Sequence, residues 1–436
     1  MPDSSYKQLI LSILCYALIL SSLYTICTFL EFIHFWPQKD NVILWDASWY
    51  ADIKAHGFYY SDKAQSNSGF FPLFSYMWRF IHVNNIGICI VNFILFGISS
   101  IYICKELNIT SDRMLLFISF PSSVFFMVPY TESLFFLCSC VFLIGLIKQN
   151  NYLIILGLLF ASMTRATAVF FIPSLFVMEF FFYKTLFSKK LISKFFISSA
   201  ICVLGIAVVV YIHYFQTGVY FAYAKSQVQF WGHKFHVPGF PLVAWDNARV
   251  MWLDCMALIA GISALCILFF LSCQLIKRSE KWSALFANKV YIFSLMYCVV
   301  VTIYLLCFNE KDADGHTGLN GLNRYLFATP FFLVFLHYTF NSFTMKAKNI
   351  MIFSAITLLV FFLTGITSEF AWLNNFFNSK YNTLIFFFFI YIYMLIVFSL
   401  SKDHPFKREV NTVIVILNII LQISLINTFI QQKWVG

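Results

Sequence analysis

The chain has 436 residues, 61% hydrophobic and only 11% charged, with 56 Phe and a formal net charge of +10. Soluble domains carry roughly a quarter charged residues, so this composition excludes a water-soluble fold. The basic residues stand beside apolar runs, where an anionic leaflet attracts them, so they are read as membrane-facing and nucleic acid is not an expected partner. The 12 Cys lie within apolar runs or at their ends, none at metal-ligand spacing, and read as small core residues rather than disulfide or zinc ligands.

A hydrocarbon core about 30 Å thick needs roughly 20 helical residues. The first such run, 9–30, lacks a strong basic n-region and a small-residue cleavage site, and is read as a first span rather than a signal peptide. Further spans are expected near Phe93, Phe120, Val141, Leu158, Phe171, Leu204, Ile262, Met296, Phe332, Leu358, Tyr391 and Leu417. The expected fold is an all-α integral membrane bundle of about 11–13 spans. It forms one domain over 1–436, without linkers or internal repeats.

Cytoplasmic segments are enriched in Lys and Arg. With a cytoplasmic N-terminus, alternate loops collect Lys7, then Lys105 and Arg113, Lys148, then Lys184, Lys189, Lys190 and Lys194. Later ones collect Lys277, Arg278, Lys281 and Lys289, then Lys346 and Lys348, then Lys402, Lys407 and Arg408. The longer aromatic loops 34–84, 215–250 and 309–325 are then non-cytoplasmic. The Asn108 to Thr110 sequon falls on the cytoplasmic side and is expected to be silent.

Five non-cytoplasmic clusters hold polar groups against the membrane. In the first loop, Trp45, Trp49, Ile53 and His56 fall at helical spacing, so a short helix lying in the interface is expected, with Tyr59 beyond it. Asp46 stands at the start of that helix, where a carboxylate either caps backbone N–H groups or does chemistry. Asp52 is a second candidate, set against a solvated-face role.

The second cluster, PSSVFFMVPYTESLFFLCS, carries Tyr130 and Glu132 at an outer turn, where an acid is costly unless paired or solvated. MTRATA places Arg165 at another outer turn, to snorkel or to bind an anion. The loop from Thr217 to Pro241 offers Lys225, Gln227, Trp231 and His233; its HxxH is a weak metal pattern. The last, Asn309 to Pro330, carries Arg324 after an acidic stretch without calcium-hand spacing, read as a solvated loop.

These clusters, in order, resemble the PIG-V family of mannosyltransferases, which add the second mannose of GPI anchors, and their bacterial relatives. The likeness spans most of the chain: Trp45, Asp46, His56, Gly57 and Tyr59, then FFPLF, PSSVFF with PYTESLF, MTRATA, KSQVQFWG and NRYLFATPFF. Ala166, Thr167 and Ala168 depart from the family's third element, and Ser75 stands where Pro is usual, departures that touch a substrate pocket and not the fold.

The resemblance implies a GT-C glycosyltransferase acting on the non-cytoplasmic side with a polyprenyl- or dolichyl-phosphate mannose donor and a lipid-linked or glycan acceptor, in contact with membrane lipids. It implies a general base at Asp46. A carboxylate within hydrogen-bond reach can take the proton of an acceptor hydroxyl as it attacks. Arg165, Lys225, His233 or Arg324 would hold the departing phosphate, Arg best through its planar fork. Trp45, Trp49, Tyr59 and Trp231 would supply flat faces. No metal or other cofactor is required. A flippase for lipid-linked sugars and a non-catalytic transferase subunit are the alternatives. The Phe-rich style and short outer loops favour a bacterial plasma membrane, with the endoplasmic reticulum as the eukaryotic counterpart.

Overall fold

A computed structural model describes residues 5–185, 188–243, 248–343, 347–364, 390–393 and 407–435. The chain is all-helical, 76% helix, with no strand among the described residues. Among the described residues, seven helical segments are long and apolar enough to cross a membrane, one of them Ala166–Tyr183, a 3₁₀ turn running into an α-helix, and two shorter apolar helices, Asn151–Thr164 and Ala347–Leu363, accompany them. The protein is a multi-pass membrane protein.

In chain order the helices are α1 (Tyr6–Phe29), α2 (Asp46–His56), α3 (Pro72–Ile81), α4 (Asn85–Glu106), α5 (Ser111–Ile118) and α6 (Glu132–Lys148). Then come α7 (Asn151–Thr164), α8 (Phe171–Tyr183), α9 (Lys189–Thr217), α10 (Ala222–Phe230), α11 (Ala248–Ile276) and α12 (Ser283–Ala287). Last are α13 (Lys289–Phe308), α14 (Leu322–Phe327), α15 (Pro330–Ser342), α16 (Ala347–Leu363) and α17 (Lys407–Ile430).

Among the described residues, several of the expected spans are interrupted or shorter than a full membrane crossing, for local reasons. The run near Phe120 is not one span: α5 stops after eight residues and a 3₁₀ turn, Pro121–Phe126, follows. Proline has no N–H for a preceding turn and clashes with it, so a helix cannot run through Pro121. The runs near Leu158 and Phe171 are separated by Arg165 in extended conformation, φ −149° and ψ 146°. The expected span near Tyr391 falls mostly outside the described residues, as do Lys346 and Lys402.

Helices α6 and α7 form a tight antiparallel hairpin. A Cβ on Gly157 would meet the Phe142 backbone nitrogen at 2.4 Å, so the two helices touch backbone to backbone there. Small residues permit such approach between membrane helices, where apolar burial gives little net drive. The turn is set by Gln149 in the left-handed region and by Asn150, whose side chain accepts from the N–H groups of Tyr152 and Leu153. The hairpin returns the end of α7 to the start of α6, bringing Arg165 beside Glu132.

The first loop wraps this end of the bundle. Helix α2 turns Ala47, Tyr50 and Ile53 inward. That face is rotated from the expected Trp45, Trp49, Ile53 and His56 set, of which only Ile53 is fully buried and His56 is exposed. Tyr50 is drawn under by rings, meeting Phe70 at 5.2 Å and Phe74 at 5.3 Å edge-on.

The last loop is braced rather than simply solvated. Asn309 Nδ2 donates to Gly318 O at 2.8 Å and Asn320 O at 3.1 Å, and the Leu319 N–H donates to Val243 O at 2.7 Å.

Candidate active site

Four segments far apart in sequence meet at one end of the bundle. Asp46 opens α2, Glu132 opens α6, Arg165 follows α7 and Arg324 lies in α14. Asp46 does not cap its helix: Trp45 holds the cap position without a side-chain bond. Its Oδ2 instead accepts from Arg324 Nη1 at 2.6 Å. Arg324 Nε donates to Glu132 Oε1, and the same oxygen accepts from Arg165 Nη1 at 2.7 Å. Two carboxylates and two guanidinium groups thus form one network whose formal charges cancel.

Glu132 is 0% exposed, Arg324 4% and Arg165 7%, whereas Asp46 is 18% exposed. A charge at such depth survives only when paired and hydrogen-bonded. Burial opposes the charge on Arg324, and the Glu132 and Asp46 carboxylates outweigh it, holding the guanidinium well above its ordinary pKa. Aromatic faces complete the seats: Arg324 lies 4.4 Å from the Tyr130 ring centroid and Arg165 4.8 Å from that of Tyr325.

Arg324 is aimed by its neighbour. Buried Asp254 Oδ1 accepts from both the backbone N–H and Nδ2 of Asn323 at 2.8 Å, and Ser122 Oγ donates to Asn323 Oδ1 at 3.1 Å. α14 is thereby fastened to α11 and to the Pro121 turn.

The network forms part of the wall of a cavity of about 840 Å³, which Asp46, Arg165 and Arg324 line. Trp45 lines it too, in a costly backbone state: φ 54° and ψ −127°. A non-glycine residue held there stores about 1–3 kcal/mol, and such outliers gather at functional sites. The Trp45 carbonyl is gripped by Ser48, whose hydroxyl donates to it at 2.6 Å.

Gln227, Trp231 and His233 also reach the cavity. Gln227 Nε2 donates to Gly69 O at 2.8 Å, tying α10 to the first loop. Burial pushes the His233 imidazole below its ordinary pKa, and its Nδ1 has no partner among the described residues. Glu310 lines the same region with its carboxyl raised by burial.

Other expected residues lie elsewhere. Trp49 stands behind the wall, stacked on Phe70 at 6.0 Å and edge-on to Trp231 at 6.2 Å. Tyr130 is buried beneath Arg324 rather than open to a ligand. Asp52 braces the loop: Oδ2 accepts from Asn67 Nδ2 at 2.7 Å and Oδ1 faces His56 Nδ1 at 2.9 Å. Tyr59 is anchored through its backbone N–H to Asn67 Oδ1, with its ring turned outward. Lys225 is exposed and does not line the cavity.

Two residues were missed by sequence reasoning. Trp434 lines the cavity and packs edge-on against Trp45, with centroids 5.4 Å apart at 75°. Alternation of sides across the last span was the only signal for it. Asp254 had a plainer one, an acid within an apolar run.

Asp312, Asp314 and His316 each bring one potential metal-ligand atom within 4.8 Å of the others. Asp312 Oδ2 is already bonded to His316 Nδ1 at 2.9 Å, and Asp314 lies in solvent.

No protein-family model, no curated protein and no solved structure matches the chain.

Proposed function

We propose that the protein is a polyprenyl-phosphate-sugar-dependent hexosyltransferase, most simply a mannosyltransferase of the PIG-V and GT-C kind. The observation that carries this reading is the convergence of Asp46, Glu132, Arg165 and Arg324 from four separate segments onto one aromatic-walled cavity.

The parts suit the chemistry. Asp46, the most exposed acid of the network, takes the proton of an acceptor hydroxyl as its oxygen bonds the anomeric carbon. The Arg165 guanidinium has one hydrogen-bond partner among the described residues, Glu132, and keeps further N–H donors for phosphate oxygens. Glu132 holds both guanidinium groups in register.

The basic loops support placing this cavity on the non-cytoplasmic side. Lys148 and Lys289 lie at the opposite ends of α6 and α13 from Glu132 and the Asn309 loop. Positive charge marks the cytoplasmic face, which leaves the cavity to the other leaflet, where a lipid-phosphate donor presents its sugar.

The test is reconstitution with a polyprenyl-phosphate mannose labelled in the sugar. Release of prenyl phosphate with sugar transfer is the expected result, and Asp46→Asn is expected to abolish it in a folded protein. Movement of intact donor across the bilayer without release would replace this reading with lipid flipping, and neither event would leave a non-catalytic subunit.

A further inference from the structure

We propose that Arg324 is a shared counter-ion, held by Asp46 in the resting site and handed to the donor phosphate as Asp46 takes up the acceptor proton. The proposal rests on the transferase reading above.

Arg324 has two carboxylate partners of unequal standing. Glu132 is fully buried and also bonded to Arg165, so displacing it would strand the Arg165 guanidinium and leave Arg324 with Asp46 alone. Asp46 is the open partner, 18% exposed, on the cavity wall, and bonded to Nη1 at 2.6 Å. Tyr130 and Phe125 flank the guanidinium, with centroids 4.4 and 5.6 Å from it, which restricts new partners to its edges. An anion arriving from the cavity competes for the Nη1 edge, where Asp46 now sits.

The charges then balance step by step. At rest the two acids and two bases cancel, so the network offers an incoming phosphate no net attraction. In transfer, the acceptor O–H proton passes to an Asp46 carboxylate oxygen while the acceptor oxygen bonds the anomeric carbon. The bond from that carbon to the phosphate oxygen breaks, and its electron pair stays on the phosphate, which changes from a singly charged diester to a doubly charged monoester. Asp46 loses one negative charge as the phosphate gains one. Arg324, released by the neutral acid, is in place for the new charge, so the total charge of the cavity does not change. Stabilisation that appears only as charge develops is the kind that accelerates the chemical step.

The handover predicts a gain of binding in an inactive protein. Asp46→Asn imitates the protonated acid and frees Arg324. Full-length protein in nanodiscs is titrated with a short-chain polyprenyl monophosphate at constant ionic strength. Asp46→Asn is expected to bind about tenfold tighter than the unmodified protein. Asp62→Asn removes an exposed carboxylate of the same first loop that does not line the cavity, and its affinity is expected to stay unchanged. Adding Arg324→Gln to Asp46→Asn is expected to erase the gain, and Asp46→Ser serves as a second neutral variant if the Asn protein does not fold.

Equal or weaker binding by both neutral variants would overturn the handover, as would a gain that persists without Arg324. If the unmodified protein releases prenyl phosphate from donor while the neutral variants gain nothing, the transferase reading stands and the handover falls. If it neither releases nor binds prenyl phosphate, both fall.

Discussion

The molecule carries ion pairs on a buried glutamate at both ends of its bundle, and they are built differently. At one end, Glu179 of α8 and Lys289 of α13 form a closed pair, Nζ reaching both carboxylate oxygens at 2.6 and 2.7 Å. Neither residue lines the cavity. At the other end, Glu132 serves two arginines and Arg324 serves two acids, with the outermost acid left on a cavity wall. A closed pair satisfies itself and fastens two helices. A shared, formally neutral network with one accessible member can exchange that member for a substrate.

Substitutions at the two ends should separate these roles. The largest effect is expected from Asp46→Asn, about a thousandfold loss of turnover, as for removal of a general base, with a thermal transition in detergent close to the parent's. Turnover within tenfold of the parent would end the distinction drawn between the ends. Glu132→Gln is expected to cost about 3 kcal/mol of stability and most of the turnover, since Arg165 loses its one carboxylate and Arg324 one of its two; thermal shift and transfer assays read both.

Glu179→Gln sharpens the contrast. It should lower stability by about 2 kcal/mol and leave turnover per folded molecule unchanged, because that pair only joins α8 to α13. The smallest effect is expected from Trp434→Ala. Losing the ring that abuts Trp45 should raise the acceptor KM a few-fold, in line with about 1 kcal/mol for an aromatic pair, without altering kcat. A fall in kcat at unchanged KM would instead assign Trp434 to shaping the network.

Between the two acids of α2, position in the sequence said little. Asp46 and Asp52 lie six residues apart amid the same aromatics, yet one reaches Arg324 and the other is taken up by Asn67 and His56 within its own loop. Local hydrogen bonding decided Asp52, and nothing in the pattern from 44 to 62 distinguishes a side chain with a distant partner from one with a near one. Glu132 and Arg165 were easier to find, because a charge at the mouth of an apolar hairpin must be compensated.

Hydropathy and charge by themselves settled that this chain lives in a membrane, where most of its helices run, and which turns carry its costly charged groups. These follow from transfer free energies that each residue contributes almost independently of its neighbours. Only the tertiary structure decided that Asp46 is bound to a residue 278 positions away, that Tyr130 and Asp254 support Arg324 from behind, and that Trp434 faces Trp45. Those relations depend on the close approach at Gly157, on the break at Pro121 and on the orientation of α14, and pairing between distant segments leaves no period or composition in the chain for a linear reading to detect.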